Sequence, residues 1–167
     1  PHGAPSVPRV DVETLIDRLV EAKVEFIVIG GMAAVLHGAP IVTGDLDIVH
    51  RRTPENTSKL PTVLTTIDAV KRADSRRLRP TETWFLGKGH ILLDTSAGPV
   101  DVLCEVDDGK DFDWLLERSV VIARGETTVR IVDLPTLIEL KTRAGRLKDR
   151  LVVPVLVATL EERLRKA

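Results

Sequence analysis

The chain predicts a mixed α/β (α+β) fold, in which a small sheet, antiparallel in large part or mixed, is flanked by helices. Three observations lead there. Taken from the N-terminus, the hydrophobic periodicity runs helix, strand, helix, strand, helix, then hairpins, then helices, an order that neither an all-helical bundle nor a β-sandwich produces. A length of 167 residues with 43% hydrophobic and 29% charged residues supplies one core without disulfides or a structural metal. Only 3% of the residues are aromatic, so that core must be built from Val, Leu, Ile and Ala. The expected division is an irregular N-terminal arm over 1–9 and a single domain over 10–167.

Composition also removes several classes of function. Cys104 is the sole cysteine, which excludes an internal disulfide and a cysteine-based metal cage and fits a reducing, cytoplasmic setting. A formal charge of −1 gives no whole-molecule attraction to nucleic acid or membrane, so any polyanion site must be a local patch. No apolar run approaches the roughly 18 residues needed to span a bilayer, and the start shows no signal-peptide pattern. Residue 1 is Pro, which leaves open a natural start further upstream.

Each element has its own warrant. Residues 1–9 hold three prolines and a glycine and read as irregular. Val12, Leu15, Ile16, Leu19 and Val20 recur at helical spacing behind Asp11, an N-cap residue, with Glu13 and Asp17 toward the positive end. FIVIGG is too short for a helix and rich in β-branched residues, as a buried central strand should be. MAAVLH is a short helix begun by the glycine pair and stopped by Gly38 and Pro40. VTGDLDIVH alternates as a strand. Residues 54–73 read as helix from Pro54 at N1, kinked or divided at Pro61. Residues 71–80 carry five basic residues against one acid and no apolar face, which reads as an exposed loop.

His90 to Asp94 and Val100 to Val106 flank a Ser-Ala-Gly-Pro turn and form a hairpin pattern. DDGKD is a turn and DFDWLLERS a short helix. Two strands surround Gly125, LPTLIELKTRAG is a helix closed by Gly145, and the remainder is a helix that Pro154 should bend.

Chemistry concentrates between Phe26 and Arg52. In a strand, Asp45 and Asp47 point the same way while Leu46 turns to the other face. Clustered carboxylates among Ile41, Val42, Ile48 and Val49 repel one another unless protonated or neutralised by a cation. Oxygen-only ligands point to Mg²⁺ or Mn²⁺, and Asp101, in GPVDVLCEV, is the candidate third carboxylate. Gly30 and Gly31, where a strand hands over to a helix, let an anionic ligand approach the backbone; a tight turn would use the same pair. His37 reads as a cap or packing residue, His50 and His90 lack metal-ligand spacing, and Trp84 and Trp114 read as core or edge cover.

These residues carry a resemblance. The order of apolar strand, Gly30-Gly31, short helix, Thr43-Gly44-Asp45-Leu46-Asp47 and a later strand with a lone Asp resembles the nucleotidyltransferase superfamily related to DNA polymerase β. The longer pattern IGGMAAVLHGAP…TGDLDIV, with LPTLIELKTRAGRLKD, is similar to a small stand-alone group that includes AbiEii-type toxins of bacterial abortive-infection and toxin–antitoxin systems. The resemblance implies a nucleotidyltransferase fold and transfer of an NMP from an NTP to a hydroxyl acceptor. Asp45 and Asp47 would hold Mg²⁺ (or Mn²⁺) on the triphosphate, and Asp101 would share a second metal and help deprotonate the acceptor. Gly30, Gly31 and Thr43 would bind the nucleotide, joined by Lys141, Arg146 and Lys148 from the C-terminal motif, with Lys141 neutralising the triphosphate. Many relatives have Ser at the second position of the glycine pair, where this chain has Gly31. The implied partners are an NTP, a tRNA 3′ end or protein acceptor, and a cognate antitoxin, with no membrane. Two alternatives stay open: a non-catalytic member that binds nucleotide or a partner protein, and a metal-dependent phosphohydrolase using the same acids.

Overall fold

Phe26–Ile29 (β1) is buried at all four positions, which requires cover on both faces of the sheet and explains why the run is uniformly apolar rather than alternating. The structure is a computed structural model and describes residues 11–167. The irregular arm expected over 1–9 lies outside the described residues.

Val12–Glu21 (α1) leads into β1, and the Asp11 side chain accepts a hydrogen bond from the Thr14 backbone N–H, as an N-cap should. Gly30–Leu36 (α2) follows β1 without a linker. After an extended segment comes Leu46–His50 (β2), antiparallel to β1, with Ile29 opposite Asp47. The strand therefore begins at Leu46, and Asp45 lies before it on an exposed stretch. The expected strand alternation does not govern Asp45.

Residues 54–65 form two short helices, Pro54–Thr57 (α3) and Lys59–Thr65 (α4), rather than one helix kinked at Pro61. The break falls at Ser58. Pro61 is the third residue of α4, where its missing N–H is one that no helix would satisfy. Helical structure also stops sooner than expected, because Val70–Lys71 pairs as a strand (β3) with Asp94 and Leu93. A further helix, Glu82–Leu86 (α5), buries Phe85 and has too little periodicity to be seen in the sequence.

Ile91–Thr95 (β4) and Gly98–Leu103 (β5) form the expected hairpin. Glu105–Val106 (β6) and Lys110–Asp111 (β7) make a separate two-stranded ribbon around the DDGKD turn, ahead of Phe112–Leu116 (α6). Ser119–Arg124 (β8) and Thr127–Val132 (β9) pair antiparallel around Gly125. Leu134–Ala144 (α7) ends at Gly145, whose φ of 64° is the left-handed C-cap a glycine provides. Leu147–Lys166 (α8) continues through Pro154.

The main sheet has seven strands in the order β3-β4-β5-β2-β1-β9-β8. It is mixed: β2 runs parallel to β5 and β1 parallel to β9, while the remaining pairs are antiparallel. Its core is aliphatic, with Ile27, Leu46, Ile48, Leu93, Val102 and Ile131 fully enclosed. His37 and His50 serve this frame. His37 Nε2 donates to the Val132 carbonyl at 2.7 Å and Nδ1 faces Arg163 Nη1 at 3.1 Å, tying the end of α8 to α2 and β9. His50 lies 2.9 Å from the carbonyls of both Leu103 and Phe85.

Candidate active site

The parallel pairing of β2 with β5 sets Asp47 directly opposite Asp101. Residues 54 apart in sequence thus present carboxylates at the same level of one sheet. Burial, then the charge of Asp101 and a hydrogen bond with it, then the charge of Asp45, push the Asp47 carboxyl up to about 7, against an opposing pull from Lys141. Asp47 Oδ1 is buried and has no hydrogen-bond partner among the described residues. An orphaned anionic oxygen of this kind requires a proton or a cation.

The glycine pair has a steric reason for being there. Gly30 has a φ of +66°, and a Cβ on it would lie 2.5 Å from Asp47 Oδ2. Only glycine lets β1 turn into α2 at that point while the Asp47 carboxylate sits against it. At Gly31 a Cβ would lie 2.7 Å from Thr43 Oγ1. The Thr43 hydroxyl thus occupies the space a serine side chain at position 31 would need.

Gly30, Asp47, Asp101, Lys141 and Arg146 line one cavity of about 270 Å³. Its apolar wall includes Leu103, Val106, Leu137 and Leu140. Lys141 and Arg146 reach it from α7 and the α7–α8 connection, and both are held by Asp149. That carboxylate is fully buried and accepts from Lys141 Nζ at 3.3 Å, Arg146 Nε at 2.8 Å and the Arg146 backbone N–H at 3.2 Å. Burial works to raise the Asp149 pKa, but the Arg146 and Lys141 hydrogen bonds and charges prevail and lower it. Asp149 is the residue sequence reasoning passed over. Its signal was the Arg146-x-x-Asp149 spacing of a helix start, where Asp149 closes a capping box with Arg146.

Four predicted residues do not line the cavity: Gly31 and Thr43, which lie against each other, and Lys148 and Asp45. Lys148 is exposed and does not line it. Asp45 is exposed too, though near enough for its charge to act on Asp47. Among the described residues no three His, Cys, Asp or Glu side chains are grouped as a ready-made metal site. The reason is local. Asp45 precedes the strand, and Asp101 is turned to a cation of its own: Arg72 Nη2 donates to Asp101 Oδ1 at 2.8 Å. Asp47 and Asp101 would be the carboxylates to hold a divalent ion, with the remaining ligands coming from outside the chain, such as substrate phosphates or water.

Arg72 belongs to the basic stretch expected to be an exposed loop; beyond Lys71 the stretch is irregular and most of it is exposed, but its start is tied to the sheet. The Lys71 N–H donates to the Leu78 carbonyl and the Arg72 N–H to the Leu92 carbonyl, so the segment is pinned to the sheet. Its charges are largely spent internally. Arg72 pairs with Asp94 and Asp101, Arg76 and Lys71 with Asp74, and Arg79 with Asp68. A sequence count of five cations against one acid misses partners that come from outside the stretch.

No protein-family model matches the chain, and no curated protein matches it. A solved structure does. It is a protein of Thermotoga maritima that carries a provisional nucleotidyltransferase assignment, 19% identical, with a TM-score of 0.56 over 93% of this chain and 91% of that one. The two chains share a fold. That likeness extends the coarse description of a mixed sheet flanked by helices to an existing architecture, over nearly the whole length of both proteins.

Proposed function

We propose that the protein transfers an NMP from an NTP to a hydroxyl acceptor, with Asp47, Asp101 and Asp45 around a divalent cation. One observation carries this reading. A buried carboxylate oxygen without a partner and a paired second carboxylate face a lysine and an arginine in a single cavity. Anion-holding and cation-holding groups so placed suit a metal-bound triphosphate, and the fold shared with a provisionally assigned nucleotidyltransferase supports it.

In this reading the triphosphate lies between the carboxylates and Lys141, with the sugar and base toward Leu103, Val106, Leu137 and Leu140. A bound Mg²⁺ or Mn²⁺ would supply positive charge to the phosphates and lower the cost of pyrophosphate departure. The acceptor oxygen forms a bond to the α-phosphorus as the bond from that phosphorus to the bridging oxygen of the β-phosphate breaks. Pyrophosphate leaves with that electron pair. The hydroxyl proton passes to Asp101, on the oxygen that Arg72 does not hold. Lys141, aimed by Asp149, neutralises charge on the departing group. Thr43 lies beside Gly31 and outside the cavity lining, so in this reading its hydroxyl reaches a phosphate only if the triphosphate extends past Gly30. Arg146 adds a second cation at the cavity mouth, and Lys148, on the exposed start of α8, contributes only long-range charge.

The acceptor class follows the sequence resemblance: a tRNA 3′ end or a protein hydroxyl, in a toxin whose cognate antitoxin would silence it. No helix among the described residues is long and apolar enough to cross a membrane, and the reading needs none.

The test is incubation of the protein with Mg²⁺, each α-³²P-labelled NTP in turn, and a cell extract. Label should enter an RNA or protein band with the wild type and not with Asp45→Ala, a substitution at an exposed position that leaves the core intact. No label above that control would overturn catalysis. Pyrophosphate or phosphate release without a labelled acceptor would instead favour a phosphohydrolase.

A further inference from the structure

Helix α8 is apolar on more sides than the fold covers. Between Leu151 and Leu160 the sole polar residue is Thr159, so this stretch has no polar face to turn to water. A helix of that kind is normally enclosed all round. Here one side is enclosed: Asp149 and Leu156 are buried, and Val152 and Leu160 pack against the core. At 3.6 residues per turn the opposite side carries Leu147, Leu151, Pro154 and Ala158. All four are exposed, Leu147 at 73% and Leu151 at 67%. The uninterrupted apolar run is about half the length of a membrane span, so the bilayer core is not what covers it.

The charges around this stripe point to its cover. Arg150 and Glu161 share the exposed face and lie about 16 Å apart along the axis. Between them on that face are Leu151, Pro154, Val157 and Ala158. Among the described residues neither Arg150 nor Glu161 has an ion-pair partner, whereas charges beside them are satisfied within the chain, Arg146 by Asp149 and Lys166 by Glu162. An apolar stripe closed by a cation at one end and an anion at the other is complementary to itself turned end for end.

We propose that this face of α8 binds a second copy of the chain, in a two-fold dimer whose α8 helices pack antiparallel. The two helices meet between Val155 and Leu156, midway between Arg150 and Glu161. That register sets Arg150 of each copy at the level of Glu161 of the other, and the symmetry forms the pair twice. Leu151 of each copy then comes against the small Ala158 of the other, with Pro154 near the centre. Burial of the leucines supplies the attraction. The charges select the orientation, because a parallel pairing would set Arg150 against Arg150 and Glu161 against Glu161. The inference stands apart from nucleotidyl transfer: the contact lies across α8 from Asp149, which holds Lys141.

The experiment is sedimentation equilibrium of the full chain from about 1 μM to about 100 μM. Wild type should approach twice the chain mass as concentration rises. Leu151→Glu, a change at an exposed position, should remain at the chain mass with an unaltered circular dichroism spectrum. Arg150→Glu and Glu161→Arg should each raise the dissociation constant roughly tenfold or more. The double variant, in which the two charges are exchanged, should recover most of that loss. A wild type that stays at the chain mass throughout would overturn the inference and leave the face to a partner of different sequence. A dimer indifferent to Leu151→Glu would overturn it too, as would a double variant that associates no better than either single one. The wild-type mass decides by itself, so a variant that fails to fold does not protect the idea.

Discussion

Replacing Asp47 by Asn should make the protein more stable at neutral and alkaline pH while destroying the site. The magnitude follows from the carboxyl group's displacement, from 3.8 to about 7 in the folded chain. A raised acid pKa means that the folded state holds its proton more tightly than the unfolded state. The stability this supplies is complete below the unfolded pKa and is lost as pH rises through about 7. At about 1.36 kcal/mol per pH unit, the full swing is on the order of 4 kcal/mol, of which roughly 2.5 kcal/mol falls between about pH 5 and about pH 8. Asn has the shape of the protonated acid and does not titrate. Urea denaturation of wild type and Asp47→Asn across that range should therefore give stability curves that diverge with rising pH, the variant the more stable at the alkaline end. Using the difference between two proteins cancels the contributions of groups far from Asp47. Saturating Mn²⁺ should stabilise the wild type most at high pH, where the ion no longer competes with a proton, and should leave the variant unmoved. Parallel curves would refute the claim that the folded chain holds the Asp47 proton more tightly than the unfolded chain does.

Gly30→Ala should cost about 1–3 kcal/mol, since Ala must adopt a φ of +66° with its Cβ 2.5 Å from Asp47 Oδ2; thermal melting and Mn²⁺ affinity should fall together, and an unchanged affinity would separate the glycine from the site. Lys141→Ala should raise KM for the NTP, and an unchanged KM would remove Lys141 from the triphosphate. Asp149→Asn should destabilise the fold by about 1–3 kcal/mol, because it leaves the Lys141 ammonium unpaired beside a buried position. It should raise the same KM, and the double variant should be little worse than Lys141→Ala if Asp149 acts through Lys141; additive losses would assign Asp149 a separate role.

The legible parts of the fold were those governed by local rules. Asp11 as a cap, the uniformly apolar β1, the hairpins at Ser96–Gly98 and Gly125, and Gly145 at the end of α7 each depend on residues within a few positions. The misreadings share the opposite character. Val70–Lys71 has no strand pattern of its own and becomes β3 because β4 offers it an edge. The start of β2 at Leu46 depends on how far β1 extends beside it, which no property of VTGDLDIVH records.

The candidate site divides along the same line. The sequence by itself determined which groups were available: a glycine pair after a buried strand, Asp-x-Asp fourteen residues later, a lone strand aspartate and a lysine on a capped helix. Tertiary structure alone decided how they act. The parallel β2–β5 register sets Asp101 opposite Asp47, and the β3–β4 edge delivers Arg72 to Asp101. The fold buries Asp149 beneath Lys141 and Arg146. Charge and hydrogen-bond partners are properties of distance in space. Segments separated by tens of residues acquire them only when the sheet closes between them.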